Sequence, residues 1–271
     1  MTMWAAVPLP RQAPAREGLA ELPGTRLWYW DTGGDGPAVV FLHAGTQSGA
    51  GWLYQQPVFS AAGYRAIGYS RRGYFRSDPG DPDDPGIASE DLHGLLNVLG
   101  LDQVHLVAHA HGGFFALDYV LGHPGRVRSL TVLSSLMGIT DSDYRAVNER
   151  LRPAFFADLP HEFQELGPSY RAGNPAGLEA WRRLAHEAIP GARVMPGLAQ
   201  EITWARLESI ETPTLLLTGD ADLYTPPSLL RMQASHMPRA EVAVIGEAGH
   251  CANWEQPETF NRLVLDFIGR H

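Results

Sequence analysis

Short runs of β-branched and other apolar residues alternate along the chain with stretches whose apolar positions recur every three or four residues. The runs at 27–30, 38–43, 64–69, 104–108, 127–134, 214–218 and 241–245 read as strands. The first two flank a Gly- and Pro-containing turn at 33–37 and read as a hairpin. Helical patterns occupy 51–62, 88–100, 112–122, 228–235 and 257–269. This alternation predicts an α/β fold, a mostly parallel sheet flanked by helices on both faces.

From 138 to 210 the pattern changes. Helix-like stretches at 144–151, 161–166, 176–188 and 197–207 are punctuated by six prolines, and no strand stands among them. The segment reads as a helical cap inserted between two core strands. The chain therefore divides into core (1–137), cap (138–210) and core (211–271), with the first ~15 residues, rich in Pro and Ala, as a loose leader. The aromatics of the cap read mainly as packing, with one or two, Trp181 foremost, turned toward a substrate cavity.

Composition removes several function classes. With 271 residues, 44% hydrophobic and 19% charged, the chain can bury a sizeable core. A net charge of −9 counts against a nucleic-acid or anionic-membrane partner. All 21 basic residues are arginines, which excludes a pyridoxal-phosphate Schiff base, a lysine nucleophile and a Walker-type phosphate loop. No secretion signal is read at the N-terminus, and no apolar run approaches the ~20 residues that cross a bilayer. The one cysteine, Cys251, has no internal partner, so a reducing cytoplasm is the expected location.

Four segments carry candidate chemistry. Phe41-Leu42-His43-Ala44-Gly45-Thr46 follows a strand, and Val107-Ala108-His109-Ala110-His111-Gly112-Gly113 turns a strand sharply into a helix. Leu217-Thr218-Gly219-Asp220-Ala221-Asp222 ends another strand, and Ile245-Gly246-Glu247-Ala248-Gly249-His250 comes last. Such turns open together at the carboxyl edge of a parallel sheet, where ligands bind.

In these motifs the chain resembles the α/β-hydrolase superfamily over about 20–270, cap included. The resemblance places the nucleophile elbow, G-x-S-x-G, on Ala108 to Gly112, the acid on Asp222 and the base on His250, 28 residues later. It implies an oxyanion hole from the backbone N–H groups of Gly45 and His111, and a small carbonyl-containing substrate: an ester, lactone, amide or activated C–C bond. His43, Thr46 and Trp181 are the candidate substrate contacts. No cofactor is implied, and no oligomeric state. His109-x-His111 has ligand-like spacing, with His105 nearby. An elbow sends its flanking side chains apart, however, so no metal is expected. Asp220 is the rival to Asp222, and Arg71 and Arg72 are expected to hold neighbouring carboxylates or carbonyls.

The elbow departs from the family at its apex. Ala110 stands where the serine would be, and a methyl group attacks nothing. Loss of a triad serine costs on the order of 10⁶ in turnover. Three readings follow. One is a hydrolase slowed or inactivated at its nucleophile. The second is a serine-free enzyme using His250/Asp222 as a general base, as an oxygenase, lyase or water-activating hydrolase. The third is a ligand-binding module. The string His-Ala-His-Gly-Gly is similar to the Ser-His-Gly-Gly elbow of cofactor-free ring-cleaving dioxygenases of this superfamily, an analogy for the second; the first is the leading reading.

Overall fold

The structure, a computed structural model, describes residues 6–192 and 194–271. Eight strands form one sheet: β1 (Arg16–Leu22), β2 (Thr25–Asp31), β3 (Ala38–Leu42), β4 (Arg65–Tyr69), β5 (Val104–His109), β6 (Val127–Leu133), β7 (Thr214–Gly219) and β8 (Ala240–Ile245). Their order is β1-β2-β4-β3-β5-β6-β7-β8. β1 and β2 are antiparallel, as are β2 and β4, and every other pair is parallel.

Eleven α-helices cover the sheet among the described residues. They are α1 (Gln56–Ala61), α2 (Ala88–Val98), α3 (His111–Gly122), α4 (Ser142–Leu151), α5 (His161–Glu165), α6 (Pro168–Gly173), α7 (Pro175–Ala188), α8 (Trp204–Glu208), α9 (Pro227–Ser235), α10 (Ala252–Glu255) and α11 (Pro257–Ile268). Alternate strand residues feed the two faces. Val40, Leu42, Leu106, Ala108 and Leu130 join α2, α3 and α9 in one core. Val39, Phe41, Val107, Leu215 and Leu217 join α1 and α11 in the other. On α11 the apolar side chains Phe260, Val264 and Phe267 recur every three or four residues on one face, each fully buried and worth roughly 1.5–3 kcal/mol.

Helices α4 to α8 all fall between β6 and β7, the stretch whose pattern departs from the core. Leu166, Tyr170, Ala180 and Trp181 from this stretch pack on Tyr54, Cys251 and Trp254 in a third, smaller cluster.

The hairpin expected between 27–30 and 38–43 is not formed. β2 pairs instead with β1, across the turn at Pro23-Gly24, and β3 lies between β4 and β5. The reason is visible in β3 itself: Ala-Val-Val-Phe-Leu is apolar on both faces and belongs in a covered parallel centre. β1 escapes sequence patterning because it is mostly exposed, as an edge strand is, with Leu19 between Glu17 and Glu21 on its outer face. Two helical expectations shift as well, and one helix arises where none was expected. The 51–62 stretch is helical only from Gln56, and 197–207 only from Trp204. Pro168–Gly173, unanticipated, forms α6. Of the expected leader, residues 1–5 lie outside the described residues. Residues 6–15 have no regular structure but are tied down, Val7 through Tyr54 and Ala13 through a reciprocal pair with Gln56.

Candidate active site

β5 ends at His109 and α3 begins at His111, so Ala110 alone makes the turn. Its φ of 50° and ψ of −113° lie where L-residues rarely go, a conformation costing about 1–3 kcal/mol. Close packing holds it there. A Cβ on Gly112 would stand 2.4 Å from the Leu42 carbonyl oxygen, and one on Gly113 2.5 Å from Ser135 Oγ. Only glycines let the first turn of α3 approach β3 and the end of β6 this closely.

His250, in the loop between β8 and α10, presents Nδ1 to Asp222 at 3.0 and 3.1 Å from the two carboxylate oxygens. Asp222 also accepts the backbone N–H groups of Tyr224 (2.7 Å) and Thr225 (3.1 Å) and the Thr218 hydroxyl (3.0 Å). A carboxylate so surrounded fixes the imidazole tautomer: Nδ1 carries the proton and Nε2 is left as the basic nitrogen. Burial favours neutral forms of both groups. For His250 the charge and hydrogen bond of Asp222 outweigh it, lifting the imidazole above its ordinary range. For Asp222 the same partner and the two backbone donors hold the carboxyl below its own. Asp220 is spent otherwise, accepting the N–H of Ala248 at 3.3 Å.

Beneath the dyad lies His109, whose Nε2–H donates to the His250 carbonyl at 2.9 Å. Burial pushes this imidazole down to about 3, so it stays neutral and steadies the loop carrying the base. His105 sits farther back along β5 against Ser129 Oγ, 2.8 Å away. Among the described residues no three His, Cys, Asp or Glu side chains converge to hold a metal ion.

A cavity of about 350 Å³ opens over the elbow. Ala110, His111, Gly45, Thr46 and His250 all line it, so the apex, both expected oxyanion donors and the expected base share one space. Phe114, Ser134, Leu136, His161, Glu165, Met195 and Tyr224 complete much of its wall. The Tyr224 ring lies 4.4 Å from the His250 ring, and its hydroxyl donates to Gln164 at 2.7 Å. Ser134 faces the cavity, and its buried Oγ makes no hydrogen bond to a described residue, so no described base is paired with it as a nucleophile.

Two expected substrate contacts stand elsewhere. His43 and Trp181 line a separate void of about 20 Å³ and not the cavity over Ala110. His43 orders its loop: Nδ1–H donates to the Ala44 carbonyl (2.7 Å) while Nε2 accepts the N–H of Arg71 (3.1 Å). Trp181 is buried in the cluster joining α6 and α7 to Trp254. Thr46 does reach the cavity, but its hydroxyl donates to Glu165 Oε2 at 2.8 Å. Arg71 holds the carbonyls of His43 and Ala44, and Arg72 makes a buried two-pronged pair with Asp91.

Glu165, Tyr224 and His161 carry no local sequence signal. Glu165 meets Thr46 from 119 residues away and Cys251 from 86, so packing alone reveals its place.

Comparison with known proteins agrees with this architecture. A family model described as "Alpha/beta hydrolase family" matches residues 39–263. A non-heme chloroperoxidase, CPO-A1, of Kitasatospora aureofaciens is 30% identical, over 91% of this chain and 97% of its own. A 2-hydroxy-6-oxononadienedioate/2-hydroxy-6-oxononatrienedioate hydrolase of Paraburkholderia phymatum is 27% identical, over 94% and 93%. Among solved structures, a thermophilic esterase of Thermogutta terrifontis superposes with a TM-score of 0.78 at 25% identity, covering 95% of this chain and 99% of that one.

Proposed function

Because the chain belongs to the alpha/beta hydrolase family, we propose that it acts on a small carbonyl-bearing molecule above Ala110, with His250 and Asp222 as its proton-accepting dyad. The backbone N–H groups of Gly45 and His111 receive the charge that develops on the carbonyl oxygen. The segment between β6 and β7 serves as the cap, contributing His161 and Glu165 from α5 and Met195 from the irregular stretch after α7 to the cavity wall.

In a serine-bearing form of this site the hydroxyl would attack, His250 would take its proton and Asp222 would stabilise the imidazolium. Ala110 removes the covalent step and leaves the rest. His250 then works directly, either on a water molecule or on an acidic proton of the substrate. The observation that carries this reading is the retained dyad, 3.0 Å apart, opening with a strained elbow onto one cavity.

The relatives named for a nonadienedioate act on a dicarboxylate. Phe114, Leu136 and Met195 give this cavity an apolar wall, which favours an uncharged ligand here. The buried free thiol of Cys251 fits a reducing, cytoplasmic location.

The test is turnover of p-nitrophenyl acetate, a small lactone and a β-diketone by the protein, by Ala110→Ser and by His250→Ala. Serine at the apex is expected to raise hydrolysis at least ~10³-fold, and His250→Ala to remove whatever activity the unaltered protein has. No gain from Ala110→Ser, together with a His250→Ala variant as active as its parent, would remove the reading.

A further inference from the structure

Glu165 sits where the proposed chemistry leaves room for a second proton-transfer group. It ends α5, lines the cavity over Ala110, and is almost wholly buried. Two donors address its carboxyl, and both end on Oε2: the Thr46 hydroxyl at 2.8 Å and the Cys251 thiol at 3.5 Å. Thr46 follows Gly45, whose N–H is assigned to the ligand oxygen, and Cys251 follows His250. The carboxyl is thus held between the loop that would bind the carbonyl oxygen and the loop that carries the base. Its backbone repeats the arrangement, the Glu165 carbonyl accepting the N–H groups of His250 (2.8 Å) and Cys251 (3.1 Å).

Oε2 accepts both described donors, which leaves Oε1 as the oxygen open to hold a proton; burial, not these donors, favours the neutral form. Burial raises the proton affinity of this group despite Thr46 and the His250 charge, in keeping with that form.

We propose that Glu165 is a catalytic acid paired with His250, so that the cavity interconverts a ketone and its enol without any covalent nucleophile. His250 Nε2 takes a proton from the carbon beside the carbonyl. The C–H electron pair becomes a C=C bond, the carbonyl π pair moves to oxygen, and Glu165 gives its proton to that oxygen. The products are a neutral enol, an imidazolium and a carboxylate. Reversal with solvent-exchanged protons returns the ketone, with no oxidant or cofactor consumed. The ligand class is a small uncharged ketone with an enolisable C–H bond. This inference rests on the reading of the cavity as a carbonyl site.

The experiment follows hydrogen–deuterium exchange at the α-carbon of cyclohexanone and of acetophenone in D₂O, by proton NMR. The unaltered protein is expected to exchange at least one of them well above the buffer rate. His250→Ala should return exchange to that rate. Glu165→Gln, which keeps a hydrogen-bonding amide but has no acidic proton, should slow it about 10²-fold. Thermal melting of each variant separates lost catalysis from lost structure: a Glu165→Gln variant that melts with its parent yet exchanges slowly supports the acid role. Exchange abolished in His250→Ala but undiminished in Glu165→Gln removes Glu165 and leaves the carbonyl site standing. No exchange above buffer with the unaltered protein, alongside brisk ester hydrolysis by Ala110→Ser, removes the ketone–enol activity alone. Neither exchange nor hydrolysis in any variant removes both inferences.

Discussion

At the scale of single residues, the proposed dyad would set the pH dependence of ester hydrolysis by Ala110→Ser. A base must be neutral to accept a proton, and Asp222 raises the affinity of His250 for one. Activity should therefore rise with pH through an apparent pKa above the ordinary histidine range of about 6.5. Asp222→Asn should lower turnover by at least ~10² and bring that inflection down, because the amide neither fixes the tautomer nor stabilises the imidazolium. An unchanged profile in Asp222→Asn would mean that another group sets it. Glu255 governs stability in a similar way. It accepts the N–H groups of Gly167 (2.7 Å) and Gly249 (3.0 Å), yet burial raises it from 4.5 to about 7. A carboxyl raised on folding binds its proton more tightly in the folded chain than in the unfolded one. Its stabilisation is full below pH 4.5 and is lost as pH climbs to about 7, in all about 3 kcal/mol. Urea unfolding at pH 5 and pH 8 should show this loss in the unaltered protein and a smaller one in Glu255→Gln. Equal losses would clear Glu255 of the effect.

At the scale of elements, the chain is held by a few close approaches that tolerate no substitute. Arg72 pairs with Asp91 of α2 at 2.7 and 2.8 Å, and a Cβ on Gly86 would lie 2.7 Å from the Arg72 guanidinium carbon. Asp91→Ala strands a buried cation and should cost about 3–5 kcal/mol, read as a fall in denaturation midpoint. A loss under about 1 kcal/mol would show that the guanidinium finds water or another partner. Gly68 makes room for an indole: its register partner is Trp30, and a Cβ there would come within 2.5 Å of that ring. These features explain what the sequence made legible at this scale. The central strands β3 to β7 announced themselves, because strands covered on both faces are rich in apolar residues. β1 did not, and the helical pattern after Gly197 misled. There the Asp118 carboxylate accepts the N–H groups of Ala199 and Gln200 and holds the backbone in an irregular course.

At the scale of the whole molecule, the sheet's carboxyl edge gathers segments that are far apart in the chain. Four motifs, each weak alone, implied one site, and the elbow, the dyad and the Gly45 loop do meet at a single cavity. Their legibility came from chain-local geometry: a turn from strand to helix, and two strand ends of fixed spacing. Side chains delivered by the helices between β6 and β7 were not legible, since their direction depends on contacts spanning the fold. Trp181 and Glu165 show the two ways this fails. An aromatic that looked available is buried in packing, and a carboxyl that no motif singled out faces the cavity.

The fastening of the base to α5 has a mechanical consequence. The amides of His250 and Cys251 are bonded to the backbone of Glu165, while Gly167 and Gly249 share the carboxylate of Glu255. Helix α5 and the imidazole of His250 are thus riveted together, and α5 cannot swing outward without dragging the ring with it. These four amides should then resist deuterium as stubbornly as those of the central sheet, whether or not the chamber is filled.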